Sequence, residues 1–533
     1  MSFRKTALKD AVISLSLANL CFIGVWPSLL MPSYNSYLIT NIQYIAVIIS
    51  VLLLAVIFWG MAGLARLSAN RIVLTFARIV FVSVLILPMW FVYNVIWPSS
   101  SLSPLANVLM KFLPFGKKGL IVIAFGLMIF GMGIIARWQY FLARIARYSI
   151  IVMSPCVILN FAQATWHLTS NNSYSSKQTN IVNTAPALHN TNGKRTRCVV
   201  LLFDEMDQAV AFPYRPKEIR LDEFDRLRNE AIYAKNAFPP AGLTMLSIPS
   251  LFSGCLVSKS CTKTSGDMVI STYGSSSYEH LSEQPTVFAR VRNIGMKSAL
   301  IGYIMPYQEM IGNQVDYVLS RRAQKADERV DLGEAMKGHF KKALCTTLPF
   351  ALRLGLLHNL VTRREREADI YASQKFLVEA EKVLTDNRFD FVFVHFTVPH
   401  SPFIYDRSSN NFTISPKAGY LDNLVLTDRT LGELRSAMEA ADSWDSTAIL
   451  VTADHWWRDA RFFTGKKDHR VPFILKLPGR KKGICYNQAF NNIITADLVI
   501  ALLQGEITDN SSAVKWLDKH RSFAESPLTH SVL

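Results

Sequence analysis

The stretch Cys198-Val-Val-Leu-Leu-Phe-Asp-Glu-Met-Asp207 decides the fold of the larger part of this chain. Five apolar residues end at Phe203, and two acids, Asp204 and Glu205, follow at once. An apolar run of this length between polar residues predicts a buried strand of a parallel sheet. Ligands of open α/β sheets sit just beyond the carboxyl ends of the strands, so these acids are well placed to hold a cation.

A second stretch, Ala448-Ile-Leu-Val-Thr-Ala-Asp454-His455, has the same form and ends on a carboxylate and an imidazole. Between the two stretches lies Gly242-Leu-Thr-Met-Leu-Ser-Ile-Pro-Ser-Leu-Phe-Ser-Gly254, in which a threonine hydroxyl precedes a predicted helix. A metal ion lowers the proton affinity of a hydroxyl that it binds, so acid, hydroxyl and Asp-His together indicate a metal-activated nucleophile.

Charge is distributed unevenly along the 533 residues, which are enough for more than one domain. Residues 1–166 hold twelve Lys or Arg and one acid, Asp10, a balance of +11 out of a total of +17. The basic excess therefore lies in the apolar N-terminal third. This argues against a nucleic-acid-binding protein and fits the positive charge that flanks membrane helices.

Five apolar segments of this N-terminal third are each close to the ~20 residues that cross a bilayer. The predicted spans are 11–31, 43–65, 79–98, 119–136 and 148–166. The last is the weakest, because Pro155, Asn160 and Gln163 interrupt it. With the N-terminus inside, nine bases fall in inner loops and three lysines in outer loops, as the positive-inside rule requires. The alternative is that these helices form the core of a soluble domain.

Three regions follow from this reading: a transmembrane domain at 1–166, a linker at 167–196 rich in Ser, Asn and Thr, and an extracytoplasmic catalytic domain at 197–533. In that domain, apolar strands alternate with helical stretches, which predicts an α/β fold with a mostly parallel sheet covered on both faces. The predicted strands are 198–203, 297–303, 389–396, 447–453 and 471–477. The predicted helices are 219–235, 244–253, 285–294, 366–386 and 425–441.

Two of the seven cysteines, Cys255 and Cys261, flank a short polar stretch of the catalytic domain. In an oxidising compartment we expect them to form a disulfide.

The domain from about 198 to 500 carries four motifs of one protein family, in that family's order. The matching residues are Asp204; Thr244 with Ser247 and Pro249; His395 and His400; and Asp454 and His455, followed by His469. With them, the chain resembles the sulfatase-like branch of the alkaline phosphatase superfamily. More closely, it resembles bacterial membrane-anchored phosphoethanolamine and phosphoglycerol transferases, including lipoteichoic acid synthases.

The resemblance implies a role for each matching residue. Thr244 would be the nucleophile, with His395 and His400 as further catalytic residues. The metal ligands would be Asp204, Thr244, Asp454 and His455. The ion would be divalent, zinc first and manganese as the alternative. Glu205 is a further metal candidate, with a supporting or surface role as its alternative. The substrate phosphate would be contacted by His400, His469 and Lys466. The alternative for His469 is that it simply lies in a solvated loop.

Other readings stay open for two of these residues, and one activity is disfavoured. Thr244 also suits a helix cap, and His395 also suits a buried core histidine. Sulfatases modify a Cys or Ser within a Cys/Ser-x-Pro-x-Arg motif, and Thr244-Met-Leu-Ser-Ile offers no such motif. The sequence therefore disfavours sulfate-ester hydrolysis.

By this resemblance, we expect an enzyme that moves phosphoethanolamine or phosphoglycerol from a membrane phospholipid, through a phosphothreonine, to an envelope lipid or glycan such as lipopolysaccharide. It would be a multi-pass protein of the bacterial inner membrane with its catalytic domain facing the periplasm. The alternatives are a metal-dependent phosphodiesterase of the same superfamily, and a non-catalytic envelope protein that binds a glycan or partner.

Overall fold

The computed structural model describes residues 2–30, 41–67, 137–138, 141, 144–145, 147–170, 196–262, 267–303, 305–321, 331–347, 356–479, 482–521 and 523–529. The chain divides into two compact units. The first consists of Met1–Asn35, Ile39–Ser175 and Lys325–Val361, and the second of Ser36–Leu38, Ser176–Gln324 and Thr362–Leu533. The segment 325–361, which the sequence assigned to the catalytic domain, therefore groups with the N-terminal helices.

The described α-helices are, in chain order, α1 (Ser2–Cys21), α2 (Trp26–Leu30), α3 (Asn41–Leu67), α4 (Ser154–Ser170), α5 (Gln208–Ala211), α6 (Asp222–Glu230), α7 (Thr244–Ser253), α8 (Val287–Asn293), α9 (Tyr307–Ile311), α10 (Leu332–Thr347), α11 (Leu356–Leu384), α12 (Tyr420–Ala440), α13 (Ala460–Thr464), α14 (Thr495–Leu503) and α15 (Asn510–His520). The strands are β1 (Arg197–Phe203), β2 (Ile232–Phe238), β3 (Val257–Thr262), β4 (Met268–Thr272), β5 (Glu279–His280), β6 (Ser298–Tyr303), β7 (Tyr317–Arg321), β8 (Phe391–Phe396), β9 (Tyr405–Asp406), β10 (Asn411–Phe412), β11 (Thr447–Thr452), β12 (Val471–Lys476), β13 (Ile484–Tyr486) and β14 (Phe490–Asn491).

Two helices of the first unit are long and apolar enough to cross a membrane, Asn41–Leu64 and Arg147–Thr169. They coincide with the predicted spans 43–65 and 148–166, and they support association with a membrane. The polar residues of the second helix have partners inside the unit: Asn160 donates to the Asn19 side chain at 3.3 Å and Gln163 donates to the Leu30 carbonyl at 3.3 Å. Hydrogen bonds of this kind lower the cost of polar groups in an apolar setting.

The predicted span 11–31 is not one continuous helix. Helix α1 ends at Cys21, a turn follows, and α2 begins at Trp26. Pro27 lacks a backbone N–H and its ring clashes with the preceding turn, so it is tolerated in the first turn of α2 but would break the interior of a longer helix. The predicted spans 79–98 and 119–136 lie outside the described residues, and the five-span topology stays a prediction.

Helix α10 contributes to the apolar interior of the first unit although it lies far along the chain. Phe340 packs edge-on against Phe22, with ring centroids 5.3 Å apart, and Ala343 is buried in the same cluster. A local sequence pattern does not predict a tertiary contact between segments so far apart in the chain.

The second unit is built around a nine-stranded sheet with the order β13-β2-β12-β11-β1-β8-β6-β7, in which β14 also pairs with β2. Strand β12 runs antiparallel to both of its neighbours, and the other pairings of this sheet are parallel. The predicted mostly parallel α/β fold is confirmed. Two smaller antiparallel sheets, β3-β4-β5 and β9-β10, lie outside this order.

Strand β1 lies inside the sheet and is buried on both faces. Its side chains alternate between two apolar cores, because successive residues of a strand point to opposite faces. Cys198, Val200 and Leu202 join the core that includes α7, α8 and α14. Val199 and Leu201 join the core that includes α6, α11 and α12. This double burial accounts for the unbroken apolar run with which the sequence marks the strand.

All five strands predicted from sequence are present, with ends that differ by at most two residues. One helix prediction was partly wrong. The segment 219–235 forms α6 only as far as Glu230, and its last residues belong to β2. Ile232 and Tyr233 pair with β12 through their backbones, and their side chains are buried. Sheet pairing therefore prevails over the local helical pattern.

Candidate active site

Three residues that could hold a metal ion meet at the carboxyl edge of the sheet. Strands β1 and β11 are parallel neighbours, with Leu202 opposite Thr452. Asp204 follows the first strand, and Asp454 and His455 follow the second, so their side chains converge. One ligand atom from each lies within 4.8 Å of the others, and all three side chains are buried.

The orientation of each ligand is fixed by its neighbours. Oδ1 of Asp454 accepts hydrogen bonds from the backbone N–H of Glu205 at 3.1 Å and of His455 at 2.8 Å. Nδ1 of His455 lies 3.0 Å from the Trp456 carbonyl, which can only accept, so this nitrogen carries the proton. Nε2 is therefore the free ligand atom, 3.4 Å from Oδ2 of Asp454 and 3.9 Å from Oδ1 of Asp204.

A divalent cation fits this group. Oδ1 of Asp204 is buried and has no hydrogen-bond partner among the described residues. Burial, together with the negative charges of Asp454 and Glu205, raises the pKa of Asp204 well above its ordinary value. Two buried carboxylates side by side repel each other unless a proton or a cation lies between them. Carboxylate, imidazole and hydroxyl are ligands of zinc and manganese.

Thr244, the first residue of α7, brings its hydroxyl to the same point. Oγ1 donates to Oδ2 of Asp454 at 2.6 Å and lies 3.2 Å from Nε2 of His455. The residue at the capping position is Leu243, and no side chain caps this helix end. The reading of Thr244 as a helix cap alone is therefore wrong, and the structure unites the four predicted metal ligands.

The rest of the Thr-x-x-Ser-x-Pro motif shapes the helix behind Thr244. Ser247 is buried and donates to the Ala241 carbonyl at 2.9 Å, which ties α7 to the preceding loop. Pro249 has no N–H to offer Met245, four residues earlier, and the Ser260 hydroxyl donates to that carbonyl instead, at 2.8 Å. The proline is thereby accommodated inside a ten-residue helix.

The loop in front of Thr244 is held by residues that follow His455. A Cβ on Gly242 would come 2.7 Å from the ring of Trp456, so a glycine is required there. Arg458 donates to the Gly242 carbonyl at 2.8 Å. The loop before Thr244 and the loop that carries Asp454 and His455 therefore form one packed structure. The motif comparison did not reveal Trp456 or Arg458, although both directly follow Asp454-His455.

His395, near the end of β8, is fully buried. Its Nδ1 lies 2.5 Å from the Tyr307 hydroxyl, and its Nε2 has no hydrogen-bond partner among the described residues. Burial lowers the pKa of His395 to about 4, so the ring is neutral at neutral pH. Tyr307 was missed by the sequence analysis. A signal existed in Gly302, where a Cβ would collide with the Tyr307 ring at 2.0 Å, because a glycine inside a strand often marks such close approach.

His400 lies closer to the surface than His395, in a loop held by Asn423. The Asn423 amide donates to the carbonyls of His400 at 3.1 Å and of Pro402 at 3.3 Å. Nε2 of His400 is 3.8 Å from the Glu205 carboxylate, and its side chain is 35% exposed. The imidazole is thus accessible from solvent, and it faces Glu205, the residue that follows Asp204.

Glu205 lies outside the metal group of three described residues, and its carboxylate faces His400 instead. Its φ of 60° is left-handed, which costs a non-glycine residue roughly 1–2 kcal/mol. This conformation lets the Glu205 N–H reach Asp454 while its carbonyl accepts from the Tyr420 hydroxyl at 2.9 Å. The ring of Tyr420 stacks on Trp457 at 3.9 Å, a second link between the loops after β1 and β11.

The two other predicted substrate residues contact side chains outside the metal group. His469 is bonded to the Glu525 carboxylate and packs on Trp456, with ring centroids 4.3 Å apart. It is separated from His455 by that indole. Lys466 is exposed, and its Nζ lies 6.0 Å from the ring of Tyr214. The predicted disulfide is not formed in the structure, where Cys255 is an exposed free thiol.

Comparisons with known proteins identify a family and several similar solved structures. The family model described as sulfatase matches residues 198–504. Similar solved structures include a sulfatase from Pseudoalteromonas sp., 16% identical with a TM-score of 0.40, where 58% of this chain and 67% of that chain are covered. A protein of the alkaline phosphatase superfamily from Vibrio parahaemolyticus is 15% identical with a TM-score of 0.37, covering 59% and 67%. The phosphonate monoester hydrolase of Agrobacterium radiobacter is 12% identical with a TM-score of 0.37, covering 59% and 78%.

A comparison with curated proteins finds no match. The match to the family model covers more than half of the 533 residues and includes Asp204, Thr244, Asp454 and His455. The chain belongs to the sulfatase family, whose members are metal-dependent enzymes.

Proposed function

We propose that this protein is a phosphotransferase that takes a phosphoethanolamine or phosphoglycerol unit from a membrane phospholipid and passes it to an envelope lipid or glycan. One observation carries the proposal: the Thr244 hydroxyl contacts both Asp454, at 2.6 Å, and His455, at 3.2 Å, inside a buried group that fits a divalent cation. A hydroxyl in this setting is a nucleophile for phosphorus.

The metal would be held by Asp204, Asp454, His455 and the Thr244 oxygen, with zinc as the first candidate and manganese as the second. When bound, it supplies positive charge that lowers the proton affinity of the hydroxyl and offsets charge on the phosphoryl oxygens. The chain itself holds Thr244 at the start of α7, and the buried carboxylate of Asp454 is the nearest acceptor for its proton.

The reaction divides into two displacements at phosphorus. First, Oγ1 of Thr244 attacks the phosphodiester, the bond to the diacylglycerol oxygen breaks, and that oxygen takes up a proton. A phosphothreonine diester carrying the headgroup remains. In the second displacement an acceptor hydroxyl gives up its proton and attacks the same phosphorus, the bond to Oγ1 breaks, and Oγ1 recovers the proton that it gave to Asp454.

His400 is the better proton donor for the leaving oxygen and the better base for the acceptor. Its ring is partly exposed and lies beside Glu205, so it can exchange a proton with substrate or solvent. His395, neutral and buried, is suited to hydrogen bonding instead of proton delivery. The two predicted catalytic histidines thus take different roles.

The setting that we propose is a bacterial inner membrane, with several spans within the first unit, a linker that begins after α4 ends at Ser170, and the second unit facing the periplasm. The two candidate membrane helices support attachment to a bilayer. Such attachment keeps the domain near phospholipid headgroups and raises their effective concentration.

The principal rival is hydrolysis, in which water and not an acceptor resolves the phosphothreonine. Incubation of purified full-length protein with phosphatidylethanolamine and phosphatidylglycerol in mixed micelles distinguishes the two. Transfer predicts a burst of about one diacylglycerol per protein, a headgroup adduct on the Thr244 peptide, and faster turnover when lipopolysaccharide is added. Rapid steady hydrolysis without an adduct would favour the phosphodiesterase, and no product of either kind would favour the non-catalytic alternative.

A further inference from the structure

The segment that follows the metal ligands of β11 carries an exposed aromatic and basic surface. Phe462 and Phe463 lie on the five-residue helix α13, and they are 76% and 41% exposed. Phe462 is the most exposed large apolar side chain among the described residues. Two adjoining exposed aromatic rings form an apolar patch, and apolar patches rimmed by polar residues mark sites that bind proteins or membranes.

Basic groups surround the two phenylalanines. The Arg461 guanidinium lies over the Phe462 ring at 4.7 Å, and both Lys466 and Lys467 are exposed. Of the two nearby acids, Asp468 is engaged by Arg470, which donates to it at 2.9 Å, and the exposed Asp459 is outnumbered by Arg461, Lys466 and Lys467. The net character of this face is therefore positive, and an anionic surface would complement it.

A second loop extends the same face. Helix α5, which follows Asp204, packs against α13, and Tyr214 just beyond it is 43% exposed beneath Lys466. We call Tyr214, Arg461, Phe462, Phe463, Lys466 and Lys467 the aromatic-basic surface. Both of its loops follow strands that end in metal ligands, so the surface lies at the same edge of the sheet as Thr244.

We infer that the aromatic-basic surface inserts into the headgroup layer of a phospholipid bilayer that contains anionic lipid. Aromatic rings beside Lys and Arg are the side chains that stabilise segments at this boundary, because the rings enter the acyl margin while the bases contact phosphates. The inference rests on the proposed function in one respect: the lipid beneath this surface would be the donor. A lipid docked there would present its phosphodiester beside Thr244 without leaving the bilayer.

The test is photocross-linking of the full-length protein reconstituted in vesicles of phosphatidylcholine and phosphatidylglycerol. A benzoylphenylalanine at position 462, and in a second variant at position 463, reports which molecule the side chain touches. The matched control carries the same group at Ser446, an exposed residue just before β11, at the opposite edge of the sheet. We expect lipid adducts at 462 and 463 in a yield on the order of tenfold above the control.

A charge test accompanies it. With the cross-linker at 462, the double variant Lys466→Glu and Lys467→Glu should lose several-fold in adduct yield in phosphatidylglycerol vesicles and little in pure phosphatidylcholine. Equal yields at 462 and 446, or cross-links only to a second copy of the chain, would overturn the inference. Adduct formation needs no turnover. A protein that cross-links to lipid yet forms no phosphothreonine would therefore support the insertion of the aromatic-basic surface into lipid and would refute the proposed reaction.

Discussion

The hydroxyl of Tyr307 lies 2.5 Å from Nδ1 of His395, and both side chains are fully buried beside the metal group. Tyr307 stands where it does because Gly302 leaves room for its ring. The tyrosine therefore fixes the direction of the imidazole, and the unpartnered Nε2 of His395 is presented on the other side of the ring. We expect Tyr307 to be a positioning residue that acts through His395.

Tyr307→Phe should lower the rate of phosphothreonine formation by about tenfold. The His395 ring loses the one hydrogen-bond partner that it has among the described residues, and the unsatisfied buried nitrogen costs roughly 1–3 kcal/mol. Tyr486→Phe, which removes a hydroxyl bonded to Asp518 at 2.8 Å, is the matched control. A Tyr307→Phe protein with the same melting shift as the control and unchanged kcat would contradict the positioning role.

Thr244→Ala should abolish both the covalent adduct and turnover while the melting temperature changes little, since the hydroxyl caps no helix. Thr244→Ser keeps the oxygen and should retain measurable activity. Mass spectrometry of the peptide that contains residue 244 gives the adduct directly. Turnover near the wild-type rate in the alanine variant would exclude Thr244 as the nucleophile.

His455→Ala should lower both the bound metal and the activity, because it removes one of few ligands. Mutation of a residue that only hydrogen-bonds to a ligand typically lowers metal affinity 10–100-fold, and loss of the ligand itself should cost at least as much. Elemental analysis of the purified protein after dialysis measures the metal content. Asp406→Asn, an exposed carboxylate bonded to Ser408 at 2.6 Å, is a suitable control. Full metal occupancy in His455→Ala would remove this residue from the ligand set.

Asp428 predicts a pH dependence of stability. Its carboxylate accepts the backbone N–H of Phe224 at 2.9 Å at the start of α6, and burial raises its pKa to about 6. Since the folded pKa lies above the ordinary 3.8, folding favours the protonated form. The protonated Asp428 therefore stabilises the folded state. This contribution to the free energy of unfolding is complete below about pH 4 and is lost as the pH rises towards 6.

Asp428→Asn, which never ionises, should therefore gain stability relative to the wild type between pH 4 and pH 7, by at most ~3 kcal/mol. Melting temperatures of the two proteins in the same detergent, taken at several pH values across this range, give the difference. A difference that is the same at every pH would show that the carboxylate does not titrate as its burial requires.

The thiol of Cys255 tests both the topology and the predicted disulfide. It is exposed in the structure, so a membrane-impermeant maleimide should reach it in intact cells if the domain lies outside the cytoplasmic membrane. If the bond to Cys261 forms in the oxidising compartment, labelling should require a reductant. A Cys255→Ser variant identifies the labelled site. Labelling only after the inner membrane is breached would refute the topology, and labelling without reductant would refute the disulfide.

The sequence predicted the central strands and the metal group because both depend on local signals. The apolar runs before Asp204 and before Asp454 each predict a strand that is buried on both faces of the sheet. Neighbouring parallel strands bring their carboxyl ends together, so the residues that follow them meet. The role of Asp428 depends on tertiary contacts: it lies inside α12, and its carboxylate accepts a backbone N–H at the start of α6. The same holds for α10, whose partner Phe22 lies more than 300 residues away.

Asp454 also holds the edge of the sheet together when no cation is bound. Its Oδ1 is occupied by two backbone N–H groups, one from the loop after β1 and one from the loop after β11. The two neighbouring strand ends are therefore fastened together by the protein alone, with only the other carboxylate oxygen turned towards Thr244 and His455. An apoprotein built in this way keeps its folded edge, so a chelator should empty the centre and a different divalent ion should refill it without a cycle of unfolding.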